Sequence, residues 1–290
     1  MMMAVSAVEP EFVPYEPKEL SALRKAFPDI TFTAVYDKTI DDWQITMTFK
    51  LNSEKTAEFY WCEGALIPEK HLADKDNYLS VFEEYPYGEE LQSPSTYTEA
   101  QIQEYRHAGL ASTRKNEPYP ATFILDFIYS STSRKSVENN ISKVDFLGHK
   151  VTVNDRLKKP LENVAKKIKE AAKKNKTLAN FIEKDIDHLE GYNWREIRDA
   201  DRKSMHSMAI AIDILPPKLN KHIYWSWTKD QKGDKWMLTP LTSRWIPPYE
   251  FINIFEEEGF IWGGKWLIWD NMHFEYRPEL LEYYKMTNKK

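Results

Sequence analysis

The sequence contains little cysteine and no long apolar run, and both absences restrict the class of protein. Cys62 is the single cysteine among 290 residues, so no disulfide can form within the chain and the redox compartment stays open. We expect a half-buried free thiol at this position. Although 42% of the residues are hydrophobic, no apolar run approaches the roughly 18 residues that a membrane-spanning helix needs. We therefore expect a soluble globular protein, with one large domain or two smaller ones and no integral membrane segment.

The sequence also lacks a positive charge excess and a recognisable export signal. Its formal net charge is −5, whereas nucleic-acid binding normally depends on a strong basic excess. We therefore expect no nucleic-acid partner. The first eight residues have neither the basic start nor the full apolar stretch of a secretory signal. The location of the protein must therefore be inferred from its function.

Two of the seven histidines stand at a spacing that indicates a metal site. Asp213 follows His206 by seven residues, and His273 follows Asp213 by sixty. Two imidazoles and one carboxylate form the three-ligand set of a catalytic zinc whose fourth position is left for water. Asp270 precedes His273 by three residues, so its carboxylate could take a proton from a zinc-bound water without binding the metal itself. The remaining histidines are predicted to be surface or packing residues: His71, His107, His149, His188 and His222.

These residues lie in two segments that resemble one family of enzymes. Residues 204–213 (SMHSMAIAID) resemble the SxHxxGxAxD motif of the VanY-like zinc D-Ala-D-Ala carboxypeptidases and L-alanyl-D-glutamate endopeptidases of bacterial cell walls. Residues 270–275 (DNMHFE) resemble the family's (E/D)xxH segment, which is followed by an aromatic residue and an acid. The likeness extends through Gly191–Arg195 and Phe260–Trp266, and so covers about the last half of the chain. The motif glycine is Ala209 here, where we expect a crowded backbone.

The resemblance implies a role for each residue of the site. It makes His206, Asp213 and His273 the zinc ligands and Asp270 the catalytic base. It also implies an arginine that holds the substrate carboxylate or the developing oxyanion. Arg195 matches that arginine best, and Arg198 and Arg202 remain rivals.

Further residues are expected around the ligands. Ser204 would hydrogen-bond the peptide or brace the site. Glu275 has the same strand parity as His273, so it could accept a hydrogen bond from a ligand histidine and orient it. Tryptophans are expected to wall the cleft: Trp262, Trp266 and Trp269.

The resemblance implies an α+β fold, with an antiparallel central sheet flanked by helices and a zinc cleft, as in hedgehog-type domains and DD-peptidases. We assign residues 136–290 to this zinc peptidase domain. Residues 1–135 form a smaller, mostly-β N-terminal region to which the sequence gives no role. Residues 134–140 are the best candidate for the boundary or a long loop between the two.

Hydrophobic periodicity predicts the main elements. Alternation in Trp43–Leu51 predicts the middle strand of a small antiparallel meander, with strands over 31–36 and 56–62 on either side. Residues 154–175 are predicted to form an amphipathic helix with Pro160 in its first turn, and Ala209–Leu215 a buried strand. For residues 121–130, helix and buried strand stay equally open. Further predictions are helices over 18–27, 98–108, 253–258 and 280–285, a strand over 192–197, and a hairpin of strands 260–262 and 266–269 joined through Gly263 and Gly264.

The function expected from the resemblance is zinc-dependent hydrolysis of peptide bonds in the stem peptides of peptidoglycan. The sequence leaves open carboxypeptidase or endopeptidase action, and it does not set the oligomeric state. One alternative is a non-catalytic, zinc-containing peptidoglycan-binding module of the same fold. A zinc amidase fits less well because it lacks the motif order. Action on the cell wall would require a periplasmic or extracellular location.

Overall fold

The computed structural model describes residues 14–197, 200 and 202–288. No helix in these ranges is both long and apolar enough to cross a membrane. The strands are β1 (Ile30–Asp37), β2 (Asp42–Phe49), β3 (Asn52–Tyr60), β4 (Tyr78–Leu79), β5 (Tyr119–Pro120), β6 (Ile141–Phe146), β7 (His149–Asn154), β8 (His188–Glu190), β9 (Ala211–Leu215), β10 (Phe260–Trp262) and β11 (His273–Tyr276). The α-helices are α1 (Leu20–Ala26), α2 (Glu99–Ala108), α3 (Ala111–Asn116), α4 (Phe123–Ile128), α5 (Arg134–Glu138), α6 (Lys158–Ala172), α7 (Lys176–Lys184), α8 (Trp225–Lys232), α9 (Tyr249–Glu257) and α10 (Pro278–Thr287).

The central sheet has the strand order β10-β11-β9-β8, and each neighbouring pair is antiparallel. Because side chains alternate across a strand, Asp213 and His273 share one face while Ile212 and Phe274 share the other. Phe274 packs against Phe251 and Phe255 of α9, with ring centroids 6.0 and 4.3 Å apart. The antiparallel central sheet flanked by helices is therefore confirmed. Its apolar face meets the helices, and its polar face carries the candidate site.

The N-terminal region contains the expected meander, with β2 between β1 and β3. It also contains α1 to α4, so the description mostly-β holds only for its first half. One cluster of buried side chains joins Leu20 and Ile45 of this region to Ile212 and Phe274 of the central sheet. The division of the chain near residue 135 stays a prediction.

Several helices have the predicted positions. Pro160 lies in the first turn of α6, and Leu161, Val164 and Ile168 form its buried stripe. The capping box at the start of α2 is present, because the side chain of Thr98 accepts from Gln101 N–H and the side chain of Gln101 accepts from Thr98 N–H. Within residues 121–130, for which the pattern allows either a helix or a buried strand, the structure forms the helix α4. Cys62 is a free, partly buried thiol, as expected, and burial together with the charge of Asp42 raises its pKa to about 12.

Two predictions of local structure are wrong because capping and loop contacts decide the conformation. For residues 134–140 the long-loop alternative is wrong, because the segment begins with α5, where Ser133 Oγ accepts from Ser136 N–H and Val137 is buried; the boundary alternative stays a prediction. The expected strand at 192–197 is irregular. Its backbone bonds β7 only at its first residue, where Tyr192 N–H donates to Thr152 O at 2.7 Å. The next contact goes to the turn that carries His206, because Asn193 N–H donates to His206 O at 3.1 Å.

The hairpin predicted through Gly263 and Gly264 is also wrong. Residues 260–262 form β10, but it pairs with β11, and residues 263–265 form a 3₁₀ turn. The two glycines allow tryptophan rings to approach the backbone. A Cβ on Gly264 would lie 2.1 Å from the Trp262 ring, and one on Gly263 would lie 2.9 Å from the Trp266 ring.

Candidate metal centre

His206 is held on a short 3₁₀ turn, residues 205–208, that leads into β9. Ser204 precedes the turn, and its Oγ accepts from His206 N–H at 3.3 Å. The Ser204 side chain is buried, so in this structure it braces the turn. Of the two roles expected for Ser204, hydrogen-bonding the peptide and bracing the site, this contact agrees with the second.

Ala209 ends the turn in the left-handed conformation, with φ 58° and ψ 29°. Its N–H donates to His206 O at 3.1 Å. This hydrogen bond holds the backbone carbonyl of His206 in place. Glycine adopts this conformation freely, whereas a Cβ makes it less favourable by about 1 kcal/mol. The glycine of the family motif therefore suits a left-handed backbone conformation at this position as well as a crowded one. Ala209 adopts the same left-handed conformation.

The register of the central sheet brings the other two ligand candidates together. Asp213 of β9 lies directly opposite His273 of β11. Residues opposite each other in an antiparallel pair have Cβ atoms about 4.5–5.5 Å apart on the same face. Sixty residues of sequence are thus bridged by one strand pairing.

The three candidate ligand atoms form a nearly equilateral triangle. His206 Nε2 lies 3.2 Å from both His273 Nδ1 and Asp213 Oδ1, and His273 Nδ1 lies 3.0 Å from Asp213 Oδ1. All three residues are buried. A tetrahedral zinc with bonds of about 2.0–2.2 Å separates its ligand atoms by roughly 3.3–3.5 Å. The spacing and the donor types therefore fit a zinc ion, and small side-chain adjustments would admit it.

Each histidine uses its other ring nitrogen to contact a fixed acceptor. His206 Nδ1 lies 2.7 Å from Gly191 O, and His273 Nε2 lies 3.1 Å from Glu275 Oε2. An N–H directed at an oxygen fixes the tautomer and leaves the remaining nitrogen lone pair for a metal. The two histidines would thus offer different atoms, Nε2 from His206 and Nδ1 from His273.

Glycine is required at position 191 by close packing. An added Cβ there would lie 2.2 Å from Thr152 O of β7, which no side chain could accept without moving the backbone. Because this segment rests so closely on β7, the carbonyl that contacts His206 is held in place. The glycine belonged to the resembling segment, but its carbonyl contact could not be read from the sequence.

The electrostatics of the triangle favour a bound cation. Burial acts to raise the pKa of Asp213, but the charges and hydrogen bonds of His206 and His273 outweigh burial and lower it well below its usual range. Burial acts to lower the pKa of His273, but Asp213 and Glu275 raise it to about 10. A metal ion that binds here must displace the proton from His273, so binding would release a proton.

Asp270 lies beside the triangle, at the end of the irregular segment before β11. Burial, reinforced by the charge of Asp213, raises its pKa to about 7. Its Oδ1 is enclosed and has no hydrogen-bond partner among the described residues. A buried carboxyl that titrates near neutral pH is suited to accept and return a proton.

Of the two candidate arginines that the structure describes, Arg195 is the one whose charge reaches Asp270. Its charge acts to lower the pKa of Asp270, and its side chain is exposed. The guanidinium carbon of Arg202 lies 4.8 Å from the centre of the Tyr119 ring, so it is engaged by the N-terminal region. Arg198 lies outside the described residues.

Of the three expected tryptophans, Trp266 is the one that contacts a candidate ligand. The ring centroid of Trp266 lies 5.3 Å from that of His273. Trp262 and Trp269 are almost fully buried, and they pack inside the protein instead of walling a cleft. Trp262 Nε1 donates to Asn271 O at 2.8 Å, and Trp269 packs against Trp236.

Tyr224 is a further neighbour of Asp270. Its backbone forms a β-bridge with Asp270. Burial and the nearby Asp270 charge raise the pKa of Tyr224. No spacing or motif in the sequence links the two residues, because the bridge joins segments 46 positions apart.

Comparison with known families agrees with the site at a coarse level. Residues 198–276 match a family model described as D-alanyl-D-alanine carboxypeptidase. This range contains His206, Asp213, Asp270 and His273, whereas Arg195 lies just outside it. Residues 19–83 match a family model described as a domain of unknown function, DUF8518. No curated protein and no solved structure matches the chain. The first match supports a peptidase of the D-Ala-D-Ala carboxypeptidase kind.

Proposed function

We propose that this protein is a zinc-dependent peptidase that hydrolyses peptide bonds in peptidoglycan stem peptides. The observation that carries the proposal is the buried triangle of His206 Nε2, Asp213 Oδ1 and His273 Nδ1, with edges of 3.0–3.2 Å. The family match over residues 198–276 supports the substrate class. The proposal includes a zinc cleft in a hedgehog- or DD-peptidase-like domain over residues 136–290. It also includes a periplasmic or extracellular location, where such a substrate is found.

A zinc ion held by these three atoms would supply a Lewis acid that polarises the scissile carbonyl and makes water more acidic. Asp270 would accept a proton from the attacking water and deliver it to the leaving amine. Burial and the charge of Asp213 hold the pKa of Asp270 above its usual range, which favours a carboxyl that both accepts and returns a proton. Trp266 lies against the ring of His273 and would limit its movement.

The unpartnered Oδ1 of Asp270 favours an enzyme over a binding module. A structural zinc site needs no carboxyl beyond its ligands, and enclosing an unpaired carboxylate oxygen is unfavourable. Asp270 Oδ1 is enclosed in this way. Such an arrangement is typical of groups that act during a reaction.

Arg195 is proposed to hold a carboxylate next to the scissile bond. We expect Arg195→Ala to raise KM about tenfold to a hundredfold, the loss typical of a hydrogen bond to a charged group. Steady-state kinetics on a stem peptide and on the same peptide with that carboxylate amidated would measure it. The variant should lose the preference for the free acid. Arg202→Ala should keep wild-type KM; the reverse pattern would transfer the role to Arg202.

Mass spectrometry of the soluble products from purified peptidoglycan tests the proposed function. We expect a product from the zinc-loaded protein that disappears with a chelator and returns when zinc is added. Released D-alanine would identify a carboxypeptidase, and cleavage beside D-glutamate an endopeptidase. Peptidoglycan that is bound but left uncut would instead identify the zinc-containing binding module.

A further inference from the structure

We propose that Arg277 is a positioning residue for the metal centre, and that the N-terminal region acts on the site by holding Arg277. This inference rests on the proposed function. It gives residues 19–83, which match a domain of unknown function, a defined role. They would complete the set of polar contacts behind the ligand His273.

A continuous path of contacts leads from His273 to Arg277. Glu275 uses one carboxylate oxygen for each neighbour: Oε2 lies 3.1 Å from His273 Nε2, and Oε1 accepts from Arg277 Nη1 at 3.3 Å. All three side chains are buried. The orientation of the Glu275 carboxylate, and with it the ring of His273, therefore depends on where the Arg277 guanidinium lies.

The N-terminal region supplies two of the contacts that fix this guanidinium. Arg277 Nη2 donates to Val81 O at 2.8 Å, and Arg277 Nη1 donates to Glu83 Oε1 at 3.4 Å. Val81 is itself held in place, because its N–H donates to Gly64 O at 3.0 Å. The planar guanidinium thus connects the segment around residue 81 to β11.

The Nε side of the guanidinium contacts the C-terminal helix α10. Arg277 Nε donates to Glu279, which is fully buried. The backbone of Arg277 is fixed as well, since its N–H donates to Gly259 O at 2.8 Å. With the backbone and Nε anchored, the Nη groups are held by Glu275 on one side and by Val81 and Glu83 of the N-terminal region on the other. One arginine therefore couples the two segments that match family models.

The test is the zinc affinity of the full-length protein, measured by competition with a chromophoric chelator. Residues behind a metal ligand typically contribute about tenfold to a hundredfold to affinity. We expect a loss in that range for Arg277→Met and a smaller loss, about threefold to tenfold, for Glu83→Gln. Because the Glu83 side chain is 39% exposed whereas that of Arg277 is 2% exposed, Glu83→Gln should fold even if Arg277→Met does not, and it then decides the question.

Glu256→Gln is the matched control. Glu256 forms an ion pair with Lys265 at 2.6 Å that is buried to about the same degree as the pair of Arg277 and Glu275. Glu256 also contacts the N-terminal region through Tyr85. Its hydrogen bonds and ion pair go to Tyr85, Gly88 and Lys265, none of which lies on the path from His273 to Arg277. Glu256→Gln should lower the melting temperature but leave zinc affinity unchanged.

A second background tests the path itself. The effect of Glu83→Gln should disappear when Glu275 is already Gln, because contacts in one network are not additive. Wild-type zinc affinity in folded Arg277→Met, or an equal loss in Glu256→Gln and Glu83→Gln, would overturn this inference alone. A wild-type protein that binds no zinc would overturn it together with the proposed function.

Discussion

His206→Ala will lose zinc and peptidase activity together. The imidazole of His206 is buried, contributes one corner of the ligand triangle and is anchored at Gly191 O. Protein zinc sites bind with about 10–16 kcal/mol, so removing one of three ligands should weaken binding on the order of a thousandfold. The remaining ligands, Asp213 and His273, cannot complete the set. Zinc content after dialysis, measured by mass spectrometry beside the peptidoglycan assay, checks both losses.

His107→Ala provides the matched control for this substitution. Its imidazole is exposed and pairs with Glu117, so zinc content and activity should remain at wild-type levels. The melting temperature of metal-free His206→Ala should be compared with that of the metal-free wild type, since the variant leaves Gly191 O without its hydrogen-bond donor. A folded His206→Ala protein that retains one equivalent of zinc would remove His206 from the ligand set.

Asp270→Asn will retain zinc and lose turnover. The amide has the size of the carboxyl but cannot accept and return the proton, and general acid–base catalysis typically contributes 10²–10⁴-fold. We expect kcat to fall by about that factor, with zinc affinity within a few-fold of wild type, because Asp270 is not one of the three ligand candidates. Single-turnover kinetics on a defined stem peptide, with zinc content measured on the same sample, separates the two effects.

Asp230→Asn, an exposed acid on α8, controls for the loss of one negative charge. It should behave as wild type in both measurements. A near-normal rate for zinc-loaded Asp270→Asn would remove Asp270 from the base role. Loss of zinc together with activity would instead show that Asp270 helps to hold the metal.

Local patterns in the sequence by themselves determine several elements. The alternation in β2 and the four- and three-residue steps of α6 each depend on residues close together in sequence, and both elements form where predicted. The same holds for the ligand candidates. The spacing of His206, Asp213 and His273 indicated one site, and the three residues lie together. Short-range periodicity and motif spacing depend only on the order of residues, so they can be identified from the sequence alone.

Failures occurred where the conformation depends on a distant part of the chain. Residues 192–197 bond the turn that carries His206, and Trp262 and Trp269 are enclosed by other aromatic rings. A strand-like pattern or a tryptophan-rich segment has the same sequence whether its side chains face solvent, a substrate or another part of the protein. Only the packed structure distinguishes these cases.

The atomic detail of the site was likewise decided by tertiary structure. The sequence named three ligand residues and placed Glu275 near His273, but it could not choose between the two nitrogens of each ring. The carbonyl of Gly191 selects Nε2 of His206, and Glu275 selects Nδ1 of His273. The contact from Val81 and Glu83 to Arg277 spans almost 200 residues. A hydrogen bond depends on distance and direction, and for residues so far apart in the chain only the fold supplies both.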